Sequence, residues 1–166
     1  MADSIIHELT DTQLDSLLPL LGEIECGRHF SASDPQHLAW LKRRLSAHRA
    51  AGIRYFGGQN PAGEILGVVG ILLEQKLFGP PGAEITDIGV IAAQRRRGLG
   101  TQLLRHAVNL AIEHGAHAVF VRTYAADIGA IAFYGRSAFY PVAVIPGANG
   151  ATDEGDIVLR RNLSVP

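Results

Sequence analysis

Apolar positions along the chain follow two rhythms, and the switches between them lay out an order of elements. Residues 5–9 form a first strand. Thr10 or Asp11 then caps a helix with Leu14, Leu17, Leu18 and Leu21 on one stripe, which Pro19 bends or shortens. In "SDPQHLAWLKRRLSAHR" Ser33 or Asp34 stands at the N-cap, Pro35 in the first turn, and Leu38, Leu41 and Leu45 inside a second helix. Strands at 53–57 and 65–74 flank "GQNPAG", a turn composition that makes an antiparallel hairpin, and a third strand covers 84–91. From 98 to 114, Leu99, Leu103, Ala107 and Ala111 recur at four-residue steps opposite Gln102, Arg105, His106, Asn109 and Glu113, and Gly115 supplies the stop. Residues 118–123 are short, β-branched and almost wholly apolar, as in a parallel strand covered on both faces, and belong beside the strand at 84. Asp127 caps a last helix reaching 137, and strands at 140–144 and 156–160 close the chain. The order predicts an α/β (α+β) fold: a mixed, mostly antiparallel sheet of about six to seven strands flanked by helices, with one β-α-β crossover.

Composition narrows the class. With 166 residues, 47% of them apolar, the chain can close one core, so 1–166 reads as a single domain. A formal net charge of −1 makes any basic patch a local device and argues against nucleic-acid and membrane partners. The first residues carry no basic stretch followed by a long apolar one, and no run approaches ~18 apolar residues, so a cytoplasmic protein is expected. Cys26 is the single cysteine, which excludes an intrachain disulfide and a cysteine metal cluster.

One stretch asks for an anion. "QRRRGLGTQLL" sets Arg95, Arg96 and Arg97 against Gly98 and Gly100, with Leu99 between and Thr101 after, at the point where a strand hands over to an amphipathic helix. A helix N-terminus offers amides without partners and a partial positive charge, and glycines let an anion approach. Amides of Arg96, Arg97, Gly98 and Gly100 can converge on a pyrophosphate, with the guanidinium of Arg95 or Arg97 adding charge-assisted bonds. A nucleoside-triphosphate loop would need Lys-Ser or Lys-Thr after its last glycine, and a dinucleotide fingerprint a third glycine where Leu103 stands. Neither fits.

The segment resembles the Q/R-x-x-G-x-G/A motif of the GNAT superfamily of acetyl-CoA-dependent N-acetyltransferases. A second segment agrees: "DIGAIAFYGRSAFY" is similar to the family's N-x-x-A-x-x-F-Y-x-x-x-G-F signature, with Ala130, Phe133, Tyr134 and Phe139 in register. Asp127 stands where Asn is usual, and Ala138 where Gly is usual. The resemblance implies acetyl-CoA as acyl donor, direct transfer to a primary amine of a small molecule or protein, and a splayed strand pair that receives pantetheine. Backbone groups of Gly89, Val90 and Ile91 would pair with the pantetheine amides, Val90 N–H would hold the oxyanion, and Asp127 would lie near the pantetheine arm. Tyr134 is implied as the acid that reprotonates the leaving thiolate; a phenol keeps its proton at neutral pH. For the base, the resemblance points to Glu84. Alternation puts Glu84, Thr86, Ile88 and Val90 on one face and Asp87 on the other, so Asp87 takes the role if that face looks to the substrate, and an ordered water is the third possibility. The resemblance makes a homodimer possible, since homodimers are common among relatives, and the sequence leaves the oligomeric state open.

Other candidates read as structural. Cys26 has no histidine placed by a motif and reads as an inert thiol; His114 and His117 straddle a helix end without a carboxylate cluster, so no metal is expected. Trp40 reads as helix packing or an acceptor-pocket wall. Asp153, Glu154 and Asp156 read as a solvated acidic loop, or one that attracts a cationic amine. Two rivals remain: a non-catalytic acyl-CoA-binding regulatory module on the same fold, and an unrelated phosphate-binding domain. The acceptor has no recognised signature.

Overall fold

In a computed structural model the described residues are 5–26, 31, 33–74, 81–147 and 155–164. Seven strands hydrogen-bond in the order β1-β2-β3-β4-β5-β7-β6. The chain divides into two compact units, Met1–Leu72 with Thr86–Ala107, and Leu73–Ile85 with Val108–Pro166.

The first unit holds β1 (Ile5–Glu8), α1 (Asp11–Ser16), α2 (Leu18–Cys26), α3 (Pro35–Ala50), β2 (Arg54–Gln59) and most of β3 (Ile65–Glu74). It also takes the later part of β4 (Gly82–Val90), and α4 (Leu99–Glu113) as far as Ala107. Thr10, not Asp11, is the first cap: its hydroxyl accepts from Gln13 N–H while the Gln13 side chain accepts from Thr10 N–H at 3.0 Å. The helix then breaks at Leu17, because Pro19 has no N–H to give to the carbonyl four residues back. Asp34, not Ser33, caps α3, accepting from Gln36 N–H at 2.8 Å, with Pro35 in its first position. Strands β2 and β3 pair antiparallel around a turn closed by Asn60 and Glu64. Leu14, Leu17, Leu21, Leu41 and Leu45 pack with Tyr55 and Val68 into the core of this unit.

The second unit holds the start of β4, the end of α4, β5 (Ala118–Tyr124), α5 (Ile128–Gly135), β6 (Tyr140–Ile145) and β7 (Asp156–Asn162). The crossover is as expected: β4 pairs parallel with β5, from Gly82 opposite Ala118 to Ile85 opposite Val121. Gly115, at φ +77°, turns the chain after α4, and Ala116 N–H returns to Ala111 C=O at 2.9 Å. The two expected closing strands pair antiparallel with each other, but β7 sits between β5 and β6, leaving β6 last in the order with all six residues exposed. Pro141 interrupts its register with β7. Strand β5 is covered on both faces only in its first half; Arg122 and Tyr124 are exposed. Helix α5 ends two residues before the expected 137.

Candidate active site

The turn that enters α4 is built in three steps. A single 3-10 turn, Ala92–Gln94, follows β4, and Arg95 then folds back. Its Nε donates to Val90 C=O at 2.9 Å and its terminal nitrogen to Glu23 of α2 at 3.0 Å. In this structure Arg95 therefore holds the turn in place, rather than offering its guanidinium to an anion as the sequence allowed. Arg96 (φ +63°) and Gly98 (φ +90°) are left-handed, with Arg97 between them outside the positive-φ residues, an alternation that turns successive amides to one side. A side chain built on Gly98 would meet no protein atom within 4 Å, so its dihedral angle, not crowding from the protein, requires glycine there. Leu99 is 5% exposed and reaches the backbone at Gly58 of β2, anchoring the helix start as a core residue. The first intrahelical bond runs from Gln102 N–H to Gly98 C=O, so the amides of Leu99, Gly100 and Thr101 precede the helical ladder. Arg95 through Gly98 are all exposed.

The three backbone positions expected to face pantetheine separate. Ile91 N–H donates to Leu66 C=O of β3 at 3.0 Å, and its carbonyl accepts from Gln94. By strand alternation Gly89 also directs its groups to β3, while Val90 directs its own away from it. Gly89 has no side chain for a separate reason: Ile24 of α2 would lie 2.5 Å from a Cβ there. Of the three, Val90 is left with backbone groups turned away from the hairpin.

Glu84 and Asp87, the two carboxylates the sequence could not choose between, lie in different surroundings. Asp87 is 3% exposed, and its Oδ2 accepts from Tyr55 Oη at 2.8 Å and from Thr86 Oγ1 at 2.8 Å. Arg44 and His48 of α3 approach it at 3.8 and 3.7 Å. The strict alternation expected of β4 fails here: both Thr86 and Asp87 crowd the same side of Gly70, where a Cβ would come 2.6 Å from Thr86 Oγ1 and 3.1 Å from Asp87 Oδ2. Glu84 is half-buried, and its carboxyl is held above the usual range by burial; Arg122 works against that shift and Glu74 with it.

Tyr134, in α5, is 5% exposed and packs between the rings of Phe133 and Phe139, at centroid distances of 5.2 and 5.7 Å. Asp127 caps α5, accepting from Ala130 N–H at 2.8 Å, so the departure from Asn keeps the cap. Ala138 bears the cost of the other departure, at φ +64°.

Trp40 is 41% exposed, so it is not packed core. Asp156 is not solvated; it is buried at the start of β7 and pairs with Arg122 Nε at 3.2 Å. Asp153, Glu154 and the Cys26 side chain lie outside the described residues. Among the described residues no group of three or more His, Cys, Asp or Glu could hold a metal, and no helix is long and apolar enough to cross a membrane. The sequence reading missed Tyr55, His48 and Arg44. One signal was present: His48 continues the stripe of Leu38, Leu41 and Leu45, and a polar residue on a buried stripe demands a partner.

The chain belongs to the acetyltransferase (GNAT) family, whose model matches residues 15–139. Its fold is that of a GNAT-family acetyltransferase from Desulfovibrio desulfuricans (TM-score 0.75, 17% identity, 96% of this chain and 99% of that one). It is equally that of a Bacillus subtilis acetyltransferase in complex with CoA (TM-score 0.75, 18% identity, 98% and 100%). A curated relative, the tRNA(Met) cytidine acetyltransferase TmcA of Aeropyrum pernix, is 35% identical over 100 residues, covering 56% of this chain and 14% of the relative's length. The chain thus spans about a seventh of that relative.

Proposed function

We propose that this chain, acting as one domain, transfers an acetyl group from acetyl-CoA to a primary amine by direct attack. The observation that carries the reading is the exposed turn at Arg95–Gly98, whose left-handed Arg96 and Gly98 lead into the open first turn of α4. Arg96, Arg97 and the amides from Gly98 to Thr101 would hold the diphosphate, with Arg95 fastening the turn. The CoA bound to the Bacillus subtilis acetyltransferase supports the donor class.

In the proposed reaction Glu84 takes the proton from the ammonium, the freed amine forms the new C–N bond as the thioester C–S bond breaks, and Tyr134 returns a proton to the departing thiolate. Val90 N–H stabilises the oxyanion, because its backbone groups alone among the three candidates turn away from β3. Glu84 is favoured over Asp87 as base because a carboxyl raised by burial is the stronger base, while Asp87 Oδ2 already accepts two hydroxyl protons.

The test is CoA release with a panel of primary amines, in the wild type and in Tyr134→Phe, beside calorimetry with acetyl-CoA. Turnover of at least one amine, falling about 10²-fold or more in the variant, is expected. Tight acetyl-CoA binding without turnover of any amine would replace this reading with the non-catalytic module, and absence of CoA affinity would remove both.

A further inference from the structure

A polar chain in the first unit runs from α3 through β2 to β4, and its proton positions can be assigned by elimination. Arg44 of α3 lies 2.8 Å from His48 Nε2. A guanidinium only donates, so Nε2 must present its lone pair, and the imidazole is neutral with its proton on Nδ1. His48 Nδ1 lies 2.6 Å from Tyr55 Oη. The Nδ1–H therefore donates to the phenol oxygen, and the phenol spends its single proton on Asp87 Oδ2 at 2.8 Å. Thr86 gives Asp87 its second hydroxyl donor at 2.8 Å. Every bond then runs one way, from the guanidinium inward to the buried carboxylate.

From this we infer that Arg44 is a latch: it locks His48 in the neutral Nδ1–H form, and acidification that protonates His48 must expel Arg44 from Nε2 and loosen the end of α3 from β2 and β4. The charged and titratable groups facing His48 are Arg44 from its own helix, Tyr55 from β2 and Asp87 from β4. One residue on, Arg49 pairs with Asp11 of α1 at 3.1 Å. Burial is the first cause holding His48 below its ordinary value, Arg44 the second, and Asp87 opposes them. The same arrangement argues against a proton relay through Tyr55. Passing the Nδ1 proton inward would leave His48 an imidazolate, since Arg44 cannot resupply Nε2.

The experiment is nitrogen-15 NMR of the imidazole in the full chain, titrated across the acid range, in the wild type and in Arg44→Met, which keeps the stem but has no donor. Expected are the Nδ1–H tautomer in the wild type, a midpoint below 6.5, and a midpoint about one pH unit higher in Arg44→Met, a tenfold change in proton affinity. Tyr55→Phe gives a second reading. With the phenol gone Nδ1 loses its acceptor, yet Arg44 still requires the lone pair on Nε2, so the tautomer persists. An Nε2–H tautomer in the wild type, or identical midpoints in wild type and Arg44→Met, overturns the latch.

Discussion

Glu84 and Asp87 stand three residues apart on one strand, and what surrounds them differs more than anything in their spacing would suggest. Asp87 is shut in with two hydroxyl donors, a guanidinium and an imidazole; Glu84 is half-buried beside one cation and one anion. A carboxylate saturated with donors is a structural anion, whereas one partly stripped of water with few donors is poised to take a proton. The residue type is shared; the count of donors divides the roles.

The sharpest way to break this contrast is to neutralise each side in turn. Glu84→Gln is expected to lower kcat/KM by about 10²- to 10⁴-fold in the CoA-release assay while leaving acetyl-CoA affinity by calorimetry within about twofold. Asp87→Asn should do the reverse, costing about 2–3 kcal/mol in urea unfolding while turnover per folded molecule stays close to wild type. An Asp87→Asn protein that stays stable but stops turning over would exchange the two assignments.

The two regions should also titrate with opposite sign. Glu84 is raised above 4.5 in the folded chain, so its contribution to stability is complete below that value and is lost as pH climbs through the raised one. His48 is lowered below 6.5, so its contribution is complete above that value and is lost as pH falls through the lowered one. Thermal unfolding across pH should show Glu84→Gln without the first loss and His48→Gln without the second. The smallest effect lies outside the pair: Ala138→Gly should relieve a left-handed alanine and stabilise by about 1 kcal/mol, read as a rise of about 2–4 °C in Tm.

Much of this architecture was legible in the sequence because its signals are local. The helix start at Thr10 or Asp11, the interruption by Pro19, the helix start at Ser33 or Asp34 and the stop at Gly115 each rest on chemistry within a few residues, and only the choice of Thr10 and Asp34 as the caps waited for the hydrogen bonds. The order of the last strands was not legible. A hairpin of β6 and β7 can dock by either member, and the choice of β7 depends on pairs such as Val121 with Leu159, which no local pattern records. The site divides in the same way. The motif located the turn, yet Arg95's bonds to Val90 and to Glu23, 72 residues away, emerge only in three dimensions. The face of Asp87 was misread because alternation assumes an unbroken pleat, and Thr86 and Asp87 crowd one side of Gly70.

The outermost strand carries a further consequence. Tyr140, Val142, Val144 and Ile145 give β6 a surface that would otherwise invite stacking by other extended chains. Pro141 withholds one amide, and the irregular stretch beside it puts the ladder out of step, so a recruited strand would find no continuous row of donors to copy. An imperfection near the margin thus acts as a brake on fibril growth.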